Sequence, residues 1–266
     1  QLEISNPYKA GRTLLHFEGA GQKTDVYVFT TKVGSHVGGY DEFTIDITDA
    51  VEAFKKTDVF KKQFKGKIPV SIRTDNSRDL EMIPSSLSDF TVYGGLYRYV
   101  NLVYVPAVSV DKIFATPELD KTGKTGKLQI KARFYNTSGK GNASASVKLF
   151  DPSGKLLQEV RKELASLQGD LSLAQMTVKN PVAWSTDDPR LYTVEVKVMQ
   201  DGDSSTSKEK IGFRNFEFMT KGPFNLNGKR LLLNGTHRHE DHAGVGAAMT
   251  EDMIRTEMIL MKEICR

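Results

Sequence analysis

The sequence has one cysteine, one tryptophan and almost no net charge. Cys265 cannot form a disulfide within the chain, and its position on the apolar side of the predicted last helix is typical of a small buried side chain rather than a nucleophile. The 37 basic and 33 acidic residues leave a formal charge of +4. Because the lysines are interspersed with acidic residues, no nucleic-acid partner is indicated.

Long apolar runs are also lacking. No segment reaches the roughly 18 residues that a membrane span needs, and residues 1–12 lack the hydrophobic core of a signal peptide. We therefore expect no membrane partner. The sequence leaves the location open, because a leader can be removed from a mature protein; we favour a bacterial periplasmic or extracellular location over a cytoplasmic one.

The sequence is rich in short segments typical of β-strands. In residues 12–48, and again from residue 67, Val, Ile, Tyr, Phe and Thr alternate with polar residues, and alternation places Ile68, Val70 and Ile72 on one face. A short helical turn is expected between residues 47 and 64. Strands at this spacing predict a sandwich or jelly roll over residues 1–107.

The same pattern recurs in residues 108–218. Six candidate strands are separated by turn residues, including Asp-Pro-Ser-Gly at 151–154, in which Pro presets the backbone of a β-turn. About 110 residues of this kind predict an immunoglobulin-like sandwich.

The pattern changes in residues 219–266. A strand-like segment, residues 224–240, precedes a helical segment for which Thr250 is a suitable N-cap. A strand followed by a helix begins an α/β unit, and one such unit cannot cover both faces of its strand. The sequence therefore predicts a truncated first βα unit after two β-sandwich domains, and a mainly β chain.

Three ordered stretches carry a family resemblance. They are HFEGAGQKTDVYVFTTKVGSHVGGYDEFTIDITDAV at 16–51, DFTVYGGLYRYVNL at 89–102 and FNLNGKRLLLNGTHRHEDHAGVG at 224–246. Together they resemble glycoside hydrolase family 2. The resemblance implies a galactose-binding-type jelly roll, an immunoglobulin-like domain and the start of a catalytic TIM barrel. One departure lies at Phe29 and Thr30, where the family commonly has Asn-Gly, so we expect different geometry or extra length in that turn.

The resemblance implies a retaining glycosidase that removes terminal β-linked sugars. A β-galactosidase is the first choice, and a β-glucuronidase or β-mannosidase is the alternative. Both catalytic carboxylates are expected beyond residue 266, so no catalytic residue is assigned and the isolated chain is predicted to be inactive. The rival hypothesis is a stand-alone carbohydrate-binding or adhesive β-sandwich protein.

Residues 237–242 contain the densest group of candidate functional residues. The resemblance implies that His239 contacts sugar hydroxyls and that Arg238 supports the site, whereas an ionic network at a strand end is the alternative. Two histidines on one side of a strand would allow a metal, but the spacing is not that of zinc proteases and we assign none. Glu240 is predicted to be a buried partner of Arg238 rather than a catalytic carboxylate.

The remaining candidates come from the two sandwiches. The resemblance implies that Asp89 reaches sugar hydroxyls, which a carboxylate can bind in pairs; capping of the following turn is the alternative. Gly94, Gly95 and Arg98 are predicted to be structural, with Arg98 in an interdomain ion pair. Trp184 is predicted to be a core or corner residue rather than a sugar platform.

We expect a carbohydrate substrate and no cofactor in this chain. An ion in the complete site and a homo-oligomer stay open.

Overall fold

The computed structural model describes residues 1–84, 87 and 91–264. Within them the chain forms two units, one from residues 1–104 together with 235–266 and the other from residues 105–234. Asp89 and Cys265 lie outside the described residues, so the predictions made for them stay predictions. In the described part, no helix combines the length and apolar character that crossing a membrane requires.

The first unit contains a β-sandwich of two three-stranded sheets, with strand orders β4-β1-β6 and β3-β2-β5. Its elements are β1 (Arg12–Phe17), β2 (Lys23–Val28), β3 (Thr31–Val37), β4 (Phe43–Asp46), α1 (Thr48–Lys55), α2 (Asp58–Lys62), β5 (Val70–Asp75), β6 (Val100–Val105) and, near the C-terminus, the last helix (Glu251–Ile264). Every second residue of β1 and β2 is buried, as the sequence pattern predicts. Ile68 is in the core, and Val70 and Ile72 pack against it.

The turn between β2 and β3 is a tight turn without extra length. Val28 pairs with Thr31, so the turn has two residues, and Phe29 adopts a φ of 53°. A non-glycine residue pays a steric cost in this left-handed region. The Phe29 ring packs 5.1 Å from Phe54 and 5.8 Å from Phe64, measured between centroids. These aromatic contacts offset the cost, and extra turn length is not needed.

The helical turn expected between residues 47 and 64 is present as two short helices, α1 and α2. Thr57 begins α2 as an N-cap, because its side chain accepts a hydrogen bond from the backbone N–H of Phe60. Val51 and Phe54 are the buried residues of α1. The helices therefore cover one end of the sandwich core.

The second unit is an immunoglobulin-like sandwich. Its sheets have the orders β10-β9-β12-β13 and β11-β8-β7. The strands are β7 (Val108–Leu119), β8 (Thr125–Asn136), β9 (Ala143–Phe150), β10 (Leu156–Leu164), β11 (Leu171–Lys179), β12 (Tyr192–Gln200) and β13 (Asp203–Ile211). The inward residues of β12 illustrate the core: Val194, Val196 and Val198 are fully buried. The predicted turn after β9 is closed by Asp151, whose Oδ1 accepts hydrogen bonds from the backbone of Ser153 (2.8 Å) and Lys155 (2.9 Å).

The strand predicted over residues 224–240 is wrong in its extent. The chain instead forms a small sheet of β14 (Phe216–Phe218), β15 (Phe224–Leu226) and β16 (Lys229–Arg230). Asn227 and Gly228 have φ values of 50° and 76°, the signature of a tight hairpin turn that splits the segment. Residues 231–239 form no helix or strand, although the backbone N–H of Leu231 still donates to the carbonyl of Phe224 in β15 at 2.9 Å.

The last helix, α3, begins after Thr250, the residue predicted as its N-cap. The Thr250 hydroxyl accepts a hydrogen bond from the backbone N–H of Met253 at 3.3 Å. Several of its apolar side chains are nevertheless exposed, including Ile259 and Leu260. The mainly β class, with two sandwiches followed by the start of a βα unit, agrees with the sequence prediction.

Truncation of Leu149 tests the core of the second unit. Leu149 is fully buried on β9, and Leu156 on the neighbouring β10 is 45% exposed. Leu149→Ala is expected to lower the free energy of unfolding by about 2–5 kcal/mol, because it leaves a cavity. The matched control Leu156→Ala should cost about 1 kcal/mol or less. Urea unfolding measures both, and equal costs would contradict the assigned burial.

Candidate functional site

A cavity of about 510 Å³ lies in the first unit. It forms where the segment between β5 and β6 meets the segment that precedes α3. Its lining residues are Tyr40, Ile83, Pro84, Thr91, Tyr93, Tyr97, Arg98, Arg238, His239, Glu240, Asp241 and Ala247. The cavity therefore combines tyrosine rings with charged and hydrogen-bonding side chains.

A short loop, residues 242–246, follows the lining residue Asp241 and closes on itself. The backbone of His242 exchanges two hydrogen bonds with Gly246, at 3.0 and 2.9 Å. A side chain at Gly246 would lie 2.6 Å from the ring of Tyr93, so only glycine permits this close approach. The Tyr93 hydroxyl also donates to Asp241 at 3.4 Å. The loop is thus packed directly against the Tyr-Gly-Gly-Leu-Tyr-Arg segment.

Four alternating charges form a chain, and three of its members, Arg98, Glu240 and Arg238, line the cavity. Arg98 Nη2 lies 3.3 Å from Glu240 Oε1, and Arg238 Nη1 lies 3.4 Å from the same oxygen. Arg238 also binds Glu257 of α3, through Nε at 2.7 Å and Nη2 at 2.5 Å. The hydrogen bond and charge of Glu257 raise the pKa of Arg238, against an opposing effect of burial. Arg98 additionally donates to the backbone carbonyl of Ala247.

Two tyrosines form another part of the wall. The ring centroids of Tyr40 and Tyr97 are 6.3 Å apart, and the Tyr97 hydroxyl donates to the carbonyl of Gly39. Burial is the main cause that raises the pKa of Tyr97 to about 12. Burial, with a smaller effect of the Glu240 charge, also raises the pKa of Tyr40. Both phenols are therefore neutral hydrogen-bonding groups at ordinary pH.

The structure brings together two of the three substrate-binding residues predicted from sequence. Arg238 and His239 both line the cavity, whereas Asp89 is outside the described residues. Glu240 is a partner of Arg238 as expected, but the prediction that it is buried is wrong, because its side chain is 48% exposed at the cavity. Arg98 forms the predicted ion pair with the segment that follows the second sandwich.

Several lining residues were not found by sequence reasoning. Tyr40 comes from the loop between β3 and β4, far in sequence from Tyr93 and Tyr97. Glu257 was also missed, although an acidic residue in the second turn of α3 was an available signal. Among the described residues, no group of three or more His, Cys, Asp or Glu side chains is arranged to hold a metal ion.

Trp184 lies in the second unit and is half-buried. Its backbone N–H donates to Phe213 (2.8 Å), and the guanidinium of Arg214 lies 5.0 Å from the Trp184 ring centroid. Nearby, the hydroxyl of buried Tyr192 accepts a hydrogen bond from the backbone of Val182 at 2.9 Å. These contacts describe a corner of the sandwich, in line with the structural role predicted for the tryptophan.

The cavity is suited to a polyhydroxylated ligand. Aromatic rings can cover the apolar face of a sugar, and guanidinium, imidazole, phenol and carboxylate groups can exchange hydrogen bonds with its hydroxyls. Two sandwiches of these types, followed by the start of a βα unit with such a cavity beside it, match the architecture that the sequence resemblance implies. Two family models test that resemblance.

The model described as glycosyl hydrolases family 2 matches residues 108–214, and the model of the TIM barrel domain of the same family matches residues 218–265. The chain therefore belongs to glycosyl hydrolases family 2. The family resemblance of the three sequence stretches is confirmed.

Solved structures and curated proteins show the same relation along nearly the whole chain. The β-glucuronidase of Parabacteroides merdae, solved with glycerol in its active site, is 56% identical over 98% of this chain, with a TM-score of 0.94. Bacteroides uniformis β-glucuronidase 3 is 53% identical over 98%, with a TM-score of 0.90. A β-galactosidase of Thermoanaerobacter pseudethanolicus is 28% identical over 98%. The chain spans 33%, 32% and 34% of these three proteins.

Tyr97→Phe tests the partly buried phenol through the pH dependence of stability. The pKa of Tyr97 is raised from 10.0 to about 12 in the folded chain. Below about pH 10 the phenol is neutral in both the folded and the unfolded chain. Between about pH 10 and pH 12 it ionises in the unfolded chain but not in the folded chain, and this ionisation favours unfolding. The stability advantage of wild type over Tyr97→Phe, about 1 kcal/mol near neutral pH, should therefore shrink as the pH rises from 10 towards 12.

Urea unfolding near pH 8 and near pH 11 measures this change. Tyr99→Phe, at a 64% exposed position, is the matched control and should alter stability little. A constant advantage of wild type at both pH values would contradict the assignment.

Proposed function

We propose that this chain forms the N-terminal, non-catalytic part of a retaining glycosidase that removes terminal β-linked sugars. The observation that carries the proposal is the cavity between the Tyr-Gly-Gly-Leu-Tyr-Arg segment and the Arg-His-Glu segment, which supplies aromatic and hydrogen-bonding groups to one side of a sugar. In this proposal the two catalytic carboxylates come from sequence beyond Arg266. A stand-alone binding protein is less well supported, because the chain matches the family's barrel model over residues 218–265.

A terminal β-glucuronide is the substrate that we place first. This choice rests on the relatives from Parabacteroides merdae and Bacteroides uniformis, which are named β-glucuronidases and are 56% and 53% identical to this chain. The β-galactoside favoured from sequence is the second candidate, since β-galactosidases are among the relatives at 28% identity. A β-mannoside stays a third alternative.

The roles proposed for individual residues follow their positions. His239 and Arg238 would contact or support the sugar from the cavity wall, and Asp89 would reach hydroxyls from the jelly roll. The division into a sugar-binding domain at 1–107, an immunoglobulin-like domain at 108–218 and a barrel start at 219–266 is likewise proposed. The proposal requires no cofactor from this chain.

The substrate is tested with the complete reading frame that contains this chain. Expressed protein is assayed with the 4-nitrophenyl β-glycosides of glucuronic acid, galactose and mannose. We expect the highest kcat/KM with the glucuronide and a product that first appears in the β configuration by NMR. Higher kcat/KM with the galactoside would reverse the choice of sugar, and no release from any of the three would reject the proposed function.

His239→Ala tests the proposed sugar contact. Loss of a hydrogen bond worth about 1.5–3 kcal/mol should lower kcat/KM roughly 10- to 100-fold in the complete protein. His237→Ala is the matched control, because His237 is exposed and does not line the cavity. Equal losses in the two variants, or no loss in His239→Ala, would contradict the role given to His239.

A further inference from the structure

The segment that carries His239 is held by ion pairs to two other elements and by one ion pair within itself. On one side of His239, Arg238 is bound to Glu257 of α3. On the other side, Glu240 is bound to Arg98, which lies just before β6. Glu240 and Arg238 also contact each other at 3.4 Å. The backbone of His239 is therefore anchored through both of its neighbours, to two elements that are far apart in sequence.

Arg98 occupies the key position in this arrangement. Its guanidinium reaches Glu240 at 3.3 Å, donates to the carbonyl of Tyr97 at 2.9 Å and donates to the carbonyl of Ala247. It thus fixes both ends of the stretch between Glu240 and Ala247. The Arg98 side chain is only 20% exposed, so these bonds are partly shielded from water.

The path of the Arg98 side chain is also fixed. A Cβ atom placed on Gly19 would lie 3.2 Å from Arg98 Cγ, so the arginine stem packs directly over the backbone at Gly19. The guanidinium carbon lies 5.5 Å from the ring centroid of Tyr97. A side chain held along its length loses little further entropy when its head group binds, which strengthens its effect on Glu240.

We propose that Arg98 is a positioning residue of the sugar pocket, which acts through Glu240 to set the place of the Arg238–Glu240 segment and of His239. The proposal rests on the proposed function for its kinetic consequence, but its structural consequence is independent of any activity. Arg98 itself is not proposed to contact the reacting atoms. Arg98 lies outside the barrel segment, and its contact with Glu240 is the route by which it would influence sugar binding.

The first test measures hydrogen exchange by mass spectrometry on the complete protein. The backbone N–H groups of His242, Val245, Gly246 and Ala248 are hydrogen-bonded within the anchored stretch. In Arg98→Met and in Glu240→Gln we expect exchange of peptides that cover residues 240–248 to accelerate about tenfold, with the sandwich strands unchanged. Arg73→Met is the matched control, since Arg73 forms exposed ion pairs with Asp25 and Asp75 on β2 and β5.

The second test is a double-mutant cycle on kcat/KM with the glycoside that the wild type hydrolyses best. Arg98→Met and Glu240→Gln should each lower kcat/KM about tenfold, and the double variant should lose no more than the more affected single variant, because both changes break the same link. Arg98→Lys should recover part of the loss, because lysine keeps the charge but not the fork of donors.

The outcomes separate the two proposals. Unchanged exchange over residues 240–248 in Arg98→Met would overturn the positioning role, whatever the activity of the protein. Accelerated exchange would also overturn it if the kinetic losses of the two single variants multiplied in the double variant, since Arg98 would then act other than through Glu240.

A wild type that hydrolyses no β-glycoside would reject the proposed function, and the exchange result alone would decide whether Arg98 anchors the segment. If Arg98→Met does not fold, Glu240→Gln alone must show the faster exchange.

Discussion

The carboxylate of Glu240 is the group on which the candidate pocket depends. Two guanidiniums meet at one of its oxygens, one from Arg98 in the first sandwich and one from Arg238 two residues away. The carboxylate between them offsets the repulsion of the two arginines, which are also held by Glu257 in the case of Arg238 and by backbone carbonyls in the case of Arg98. An ion pair between residues distant in sequence thus contributes to the geometry of the pocket wall.

These ion pairs alone would hold the wall only loosely, because ion pairs near solvent contribute little to stability. The adjoining loop, residues 242–246, is also packed against the lining residue Tyr93, since Gly246 lies against its ring at a distance that no larger residue permits. The two kinds of contact have different roles. The packed ring limits how far the 242–246 loop can move, and the ion pairs select one arrangement among those that the packing allows.

The sandwiches were predictable because burial of one face imposes a period of two on each strand. The alternation of β1, β2 and β12 is visible in the sequence and reappears as buried side chains in the fold. The strand predicted over residues 224–240 failed for a local reason. Asn227-Gly228 is a strong hairpin signal that outweighs a run of apolar residues.

The candidate site was predictable only in part, and the reason is the range of the contacts. His239 and Arg238 belong to a stretch whose resemblance to the family is readable residue by residue. Tyr40 lines the cavity from a distant loop, and Glu257 binds Arg238 from α3. The local sequence around either residue does not indicate these contacts. An ion pair of Arg98 could be expected from the sequence, but the identity of its partner, Glu240, becomes known only from the folded structure, which places both residues in the first unit.

The same ion pairs limit what this wall can recognise. Among the described residues that line the cavity, the side chains able to carry positive charge are Arg98, Arg238 and His239. Both guanidiniums are already bound to glutamates, so a sugar carboxylate that approached them would have to displace Glu240 or Glu257 from a partly buried pair. The described residues of this wall therefore offer no cation that is free of a glutamate partner among the two guanidiniums, and they do not by themselves distinguish an acidic from a neutral sugar.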